Sequence, residues 1–284
     1  MATVRDFDNE VENQWCPGCP NHAILLAVKK AFAELGRQPN EVCLVSGIGQ
    51  AAKLPHYLKC NLFNGLHGRA LPVATGIAAA NPGLTVLVAT GDGDCYGEGG
   101  NHFLHAIRRN PDITVLVHDN TIYALTKGQA SPTTPLGVKR TLQAAGVTEP
   151  PLDPVALAIG LGCGFVARGF AGHVGELAGL LVRAMRHPGF SLVDVVQPCI
   201  TWDPHPMEWY RDRIVKLPEG HDPSDRDAAL ALARKAGETL PVGIYFQGEP
   251  REVFGDGFRK AVSGKPLAEL PGADARTVRG FFRP

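Results

Sequence analysis

Asp92 lies between Gly91 and Gly93 where the apolar run Thr85–Ala89 ends, and Asn120 lies at the end of the next such run. A carboxylate and an amide oxygen are hard ligands of the kind that hold Mg²⁺. In a parallel sheet the carboxyl ends of neighbouring strands open into one crevice, so the two side chains share an edge. Gly91 and Gly93 let backbone come close to a phosphate and turn N–H donors towards it, with Asp94 directly after them. Because Mg²⁺ keeps phosphate oxygens in its octahedron, the constellation predicts a diphosphate held through a metal. A second set is built from thiols. Cys16-Pro17-Gly18-Cys19 fits zinc, a redox pair or an iron–sulfur cluster. A zinc ribbon needs a second such pair, and the sequence has none.

The elements that position these residues alternate. Strands are expected over Val42–Ser46, Thr85–Ala89, Ile113–His118, Gly164–Ala167 and Ser191–Val196. Helices are expected over Ala70–Ala80, Gly99–Arg109, Pro154–Leu161 and Val174–Arg186. Asn21 is the expected cap of an earlier helix, with Gly36 as its stop signal. Apolar strands separated by helices argue for an α/β fold with a parallel sheet covered by helices on both faces. Beyond Pro204 the pattern changes to short amphipathic stretches rich in Pro, Gly and charge. We divide the chain into a domain over 1–203 and a C-terminal extension over 204–284 that packs on a partner subunit.

Composition narrows the class. The 284 residues are 44% apolar, enough for one sizeable core. Lys plus Arg and Asp plus Glu both number 28, so nothing points to nucleic acid or a membrane surface. No apolar run reaches the ~18 residues of a membrane span, and the N-terminus carries no apolar signal core. A cytoplasmic protein is expected. There its seven cysteines form no disulfide framework. Cys43, Cys95 and Cys163 lie in or beside strands and read as packing residues.

Gly-Asp-Gly followed by a further strand and an asparagine matches the thiamine diphosphate motif. The other segments extend the likeness: Trp15–Cys19, Gly47-Ile48-Gly49 with Lys53, His67–Ala70, Gly99–His102, Arg108–Asn110, Asp119–Pro135 and Gln197-Pro198-Cys199 occur in this order. Together they resemble the β subunit of the 2-oxoacid:ferredoxin oxidoreductases, roughly over residues 12–202. The resemblance implies a thiamine diphosphate-binding fold. It also implies CoA-dependent oxidative decarboxylation of a 2-oxoacid, reversible in principle, with electrons passed through a [4Fe-4S] cluster to ferredoxin. A partner α subunit is implied as well, because in this family it supplies the glutamate that activates the cofactor. Neither Glu98 nor Glu41 is assigned that part here, so no catalytic residue is placed in this chain and it should be inactive alone.

By the same resemblance, Asp92 and Asn120 ligate Mg²⁺ through side chains and Ile122 through its carbonyl. Gly91, Gly93 and Asp94 contact the diphosphate. Ile48, Gly49 and Gln50 border the cofactor, His67 neighbours its phosphate or thiazolium, and Ala124 and Leu125 support its bent conformation. Lys53 is a substrate residue by that likeness, suited to a distal carboxylate, which favours 2-oxoglutarate over pyruvate. The family's cluster takes Cys16, Cys19, a cysteine directly after Gly-Ile-Gly, and Cys199. Here Gln50 stands at the third place, and Cys60, in the stretch ahead of His67, is expected to compensate. Two other readings stay open: a non-oxidative thiamine diphosphate-dependent 2-oxoacid decarboxylase subunit, and a non-catalytic regulatory subunit that binds a diphosphate.

Overall fold

The structure, a computed structural model, describes residues 2–235, 237–261 and 265–270. Its strands in chain order are β1 (Val42–Ser46), β2 (Asn61–Asn64), β3 (Thr85–Gly91), β4 (Thr114–Asp119), β5 (Ile122–Tyr123), β6 (Gln129–Ala130), β7 (Phe165–Phe170), β8 (Ser191–Val196), β9 (Ile214–Lys216) and β10 (Leu240–Gln247). The helices are α1 (Asn21–Glu34), α2 (Ala70–Ala80), α3 (Gly100–Arg109), α4 (Pro154–Gly160), α5 (Val174–Arg186), α6 (Met207–Arg211) and α7 (Arg226–Ala233), with a last short turn of helix at Asp256–Ala261.

Eight strands form one sheet in the order β2-β1-β3-β4-β8-β7-β10-β9. Every pairing in it is parallel except β10 against β7. The central strands are buried from end to end because helices cover both faces, which is why they read as unbroken apolar runs. One core lies under α1 and α5 and the other under α2, α3, α4 and α7. The expected α/β fold is what the structure has.

α1 ends as its sequence implies. Gly36 takes φ 69°, and the Arg37 N–H returns 3.1 Å to the Phe32 carbonyl. Its start differs from expectation. Pro20 is the N-cap, and Asn21 lies inside the helix with its amide oxygen 2.8 Å from His118 Nδ1. A buried histidine at the end of β4 holds that side chain away from the helix terminus.

The extension continues the sheet: β10 adds antiparallel beside β7, β9 follows β10, and α7 packs on α4. Residues 236, 262–264 and 271–284 of that extension lie outside the described residues. Among the described residues no helix is long and apolar enough to cross a membrane.

Candidate functional site

β3 and β4 run side by side with Gly91 opposite His118, so their carboxyl ends reach the same edge. Asp92 and Asn120 stand there and line one cavity. Ile48, Gly49 and Gln50 reach it from the turn after β1, and His67 from the loop after β2. Gly91, Gly93 and Asp94 line it after β3, and Ile122, Ala124 and Leu125 after β4. The expected cofactor-bordering residues therefore converge, although they come from four separate connections.

Electrostatics make this cavity a cation site. Asp92 is buried, and its carboxyl is pushed up to about 6, first by loss of hydration. Asp119 behind it is pushed well above the usual carboxylate range by burial and by the charge on Asp92. The Thr133 hydroxyl lies 2.8 Å from Asp92 Oδ2 and 2.9 Å from Asp119 Oδ1. One hydroxyl proton serves only one carboxylate at a time, so the pair lacks positive charge. A divalent cation between Asp92 and Asn120 would supply it, and the residues present fit Mg²⁺.

The glycines have reasons beyond phosphate approach. A Cβ on Gly93 would come within 2.3 Å of the Tyr123 ring, so that ring requires the glycine. A Cβ on Gly47 would stand 2.0 Å from Asp94 Oδ2. Asp94 is the latch of the site: Oδ1 accepts the Gly68 N–H at 2.8 Å, and Oδ2 accepts the Thr90 hydroxyl at 2.7 Å. Both oxygens are engaged within the protein, and a carboxylate repels an anion, so any phosphate contact of Asp94 falls to its backbone. Gly47→Ala should therefore destabilise the chain by about 1–3 kcal/mol, as overpacking does. Gly76→Ala, in the middle of α2 with nothing within 4 Å of the added carbon, should stabilise it by roughly 0.5–1 kcal/mol. Urea unfolding of the two variants checks the contrast.

Thr121 turns the chain between Asn120 and Ile122. Its φ is 58°, a strained value for a β-branched residue. Two bonds enforce it: its N–H donates to Asp119 Oδ1 at 3.1 Å, and Thr134 Oγ1 donates to its carbonyl at 2.6 Å. The Ile122 N–H donates to Asn120 Oδ1 at 3.0 Å, and Ala124 donates to the Ile122 carbonyl at 2.9 Å. Each of those oxygens keeps a second lone pair for a metal.

Sequence reasoning missed Gln197 and His118. β8 pairs with β4 so that Val196 lies opposite Asp119, which places Gln197 beside Asn120. Gln197 Oε1 accepts from Asn120 Nδ2 at 3.3 Å, and its Nε2 points to Cys19 Sγ at 3.9 Å. One side chain thus reaches both Asn120 and Cys19. Its signal was present in Gln197-Pro198-Cys199, read only for its cysteine. His118 lines the cavity with Nε2 buried and without a partner among the described residues. Burial pushes its pKa down to about 3, so it stays neutral and Nε2 is an acceptor.

A second cavity of about 70 Å³ adjoins the first and is lined by Cys16, Cys19 and Cys199, together with Trp15 and Gln50. Cys19 is pushed up to about 11, first by burial and then by the neighbouring Cys199 and Cys16 thiols. All seven cysteines are free, and Cys43, Cys95 and Cys163 are core residues as expected. Among the described residues no three His, Cys, Asp or Glu side chains converge as a single metal ion requires. Three thiols lining one cavity are the soft ligands that an iron–sulfur cluster takes.

Cys60 does not join them. β2 runs parallel to β1 with Asn61 opposite Cys43, so Cys60 precedes the strand at the amino edge of the sheet. It packs against the core under α1, and burial pushes its thiol up to about 12. The cysteine cavity is at the other edge, so the expected compensation by Cys60 is corrected: Gln50 lines that cavity and Cys60 does not. Lys53 lies on the seven-residue 3₁₀ helix Ala51–Tyr57, half-buried, and does not line the cavity. Glu98, set aside on sequence, does line it.

Comparison with known proteins agrees with this geometry. Residues 45–195 match the family model of the thiamine pyrophosphate enzyme C-terminal TPP binding domain. Residues 199–262 match the C-terminal family model of the pyruvate ferredoxin oxidoreductase beta subunit. The chain is 42% identical to the 2-oxoacid:ferredoxin oxidoreductase 2 subunit beta of Aeropyrum pernix, over 91% of this chain and 88% of that one. It is 45% identical to the corresponding beta subunit of Saccharolobus solfataricus, over 84% and 82%. Among solved structures, the 2-oxoglutarate:ferredoxin oxidoreductase from Magnetococcus marinus, with 2-oxoglutarate, coenzyme A and succinyl-CoA bound, superposes with a TM-score of 0.91. That match has 35% identity and covers 100% of this chain and 97% of that chain. Buried Asp92 and half-buried Asn120 at the carboxyl edge of a parallel sheet, in a chain matched along almost its whole length, show that this protein belongs to the β subunits of the thiamine diphosphate-dependent 2-oxoacid:ferredoxin oxidoreductases.

Proposed function

We propose that this chain, completed by an α subunit, oxidatively decarboxylates a 2-oxoacid, with coenzyme A as acyl acceptor and ferredoxin as electron acceptor. The observation that carries the reading is the shared wall of the two cavities: Gln50, Asn120 and Ala124 line both. A cofactor in one and a cluster in the other would be separated by single side chains, the short path that one-electron transfer needs. Thiamine diphosphate, when bound, supplies the electron sink for decarboxylation, and the cluster takes electrons one at a time. The chain's own residues supply position and charge. Asp92, Asn120 and the Ile122 carbonyl hold Mg²⁺, and Gly91 and Gly93 present backbone to the diphosphate. His67, Ala124 and Leu125 line the same cavity and would border the bound cofactor. Cys16, Cys19 and Cys199 hold a [4Fe-4S] cluster.

The substrate we favour is 2-oxoglutarate. Two observations support this: a relative named 2-oxoglutarate oxidoreductase subunit KorB from Mycobacterium tuberculosis is 38% identical over 76% of this chain and 59% of that one, and Lys53, outside the cofactor cavity where a distal carboxylate would reach, has no ion-pair partner among the described residues. Lys53→Ile should raise KM for 2-oxoglutarate roughly ten- to a hundredfold, the worth of one charge-assisted hydrogen bond, and leave KM for pyruvate nearly unchanged. Equal changes for both substrates would show that Lys53 serves the fold or the cofactor. Ferredoxin reduction by the co-purified α and β chains, dependent on both coenzyme A and 2-oxoacid, tests the reading as a whole. Steady 2-oxoacid oxidation by this chain alone would refute the split site.

A further inference from the structure

We infer that Gln50 occupies the fourth corner of the cluster through its side-chain carbonyl oxygen, so that one iron lacks a thiolate and leaves on oxidation. The inference rests on the reading that Cys16, Cys19 and Cys199 hold a [4Fe-4S] cluster, and it deepens that reading.

Four observations point to Gln50. It lines the same cavity as the three thiols. Its Oε1 is buried and has no hydrogen-bond partner among the described residues, an arrangement that is costly unless a ligand meets it. Its backbone is fixed beside the cysteine loop, because Trp15 Nε1 donates to the Gln50 carbonyl at 2.8 Å and Trp15 directly precedes Cys16. No other thiol can take the place: Cys60 is at the opposite edge of the sheet, and Cys43, Cys95 and Cys163 are sealed in the core.

The chemistry of such a corner is distinct. Iron in a cluster prefers thiolate, and an amide oxygen is a neutral, hard and weak ligand for it. The iron facing Gln50 is therefore the least firmly held. An oxidant such as ferricyanide removes one electron as that iron departs: [4Fe-4S]²⁺ becomes [3Fe-4S]⁺ plus Fe²⁺, and charge and iron balance. Three thiolates also leave the cluster one negative charge short of the four-thiolate form. A less negative cluster is easier to reduce, so its potential lies higher. Gln50 also lines the cofactor cavity, so this corner faces the source of the electrons.

The test uses the anaerobically purified complex of α and β chains, with iron and sulfide counting and paramagnetic resonance before and after ferricyanide. The wild type should lose one iron per β chain and gain the signal of a three-iron cluster. Gln50→Cys should keep all its iron through the same treatment and show a lower reduction potential. Gln50→Ala should lose iron faster than the wild type, and Cys60→Ser should behave as the wild type does. A wild-type cluster that keeps all its iron, or a Cys60→Ser variant that alone loses the cluster, would overturn the assignment of Gln50 while leaving the cluster in place. A wild-type complex without iron would overturn the cluster reading itself, and this inference with it.

Discussion

Asp92→Ala is expected to abolish Mg²⁺-dependent binding of thiamine diphosphate while the fold survives. Loss of a side chain that merely orients a metal ligand costs about 10–100-fold in metal affinity. Asp92 is the carboxylate that we place on the metal, so its loss should exceed about a hundredfold. The fold has no need of that charge. Burial holds the Asp92 carboxyl at about 6, above its ordinary value of 3.8, and Asp119 is pushed up in the same direction. A carboxyl raised in the folded state favours folding less as pH climbs from the unfolded value through the folded one. Above about pH 6 the metal-free chain carries the full cost of ionising Asp92. Asp92→Asn should therefore raise the melting temperature of the metal-free chain at neutral pH and leave it little changed near pH 4. Calorimetry and cofactor titration on one preparation check both halves. Wild-type cofactor affinity in Asp92→Ala would remove Asp92 from the metal.

Cys199→Ser is the second large effect. With Gln50 at the fourth corner, only three thiolates face the cavity, and removing one leaves two. A cluster with two thiolates is not retained, so iron and ferredoxin reduction should both be lost. Thiamine diphosphate affinity should change little, because Cys199 does not line the cofactor cavity. Iron analysis beside cofactor titration separates the two sites. A variant that keeps its iron would take Cys199 out of the ligand set, and one that also loses the cofactor would show that the two cavities fold as a single unit.

Much of this site was legible because strand order and the edge rule are strong constraints. The runs Val42–Ser46, Thr85–Ala89 and Ser191–Val196 are mostly apolar because both faces of the sheet are covered. Once those strands are parallel, Asp92 and Asn120 must share an edge. Cys60 shows where such reasoning stops. Distance along the chain to His67 says nothing of which sheet edge a residue occupies. The decisive element is β2, a short edge strand exposed along its length, with asparagines at both ends and only Leu62 and Phe63 between them. It runs parallel to β1, so the residue before it belongs to the far edge and the loop after it to the cofactor. β10 was missed for a related reason. Pro241 and Gly243 break its apolar run, yet the strand still pairs with β7 and takes φ 141° at Gly243. Gln197 escaped notice because its role depends on β8 lying in register with β4, a tertiary fact.

One measurement bears most directly on the central claim, that a thiamine diphosphate site and a cluster share a wall in this chain. The anaerobic complex of α and β chains, loaded with Mg²⁺ and thiamine diphosphate, is mixed rapidly with 2-oxoglutarate in the absence of ferredoxin. Visible absorbance and paramagnetic resonance of the cluster are followed through a single turnover. The account predicts that the cluster is reduced within that turnover, and that Asp92→Ala prevents it. Release of carbon dioxide and the free aldehyde with the cluster unchanged would contradict it, and would leave a non-oxidative decarboxylase in its place.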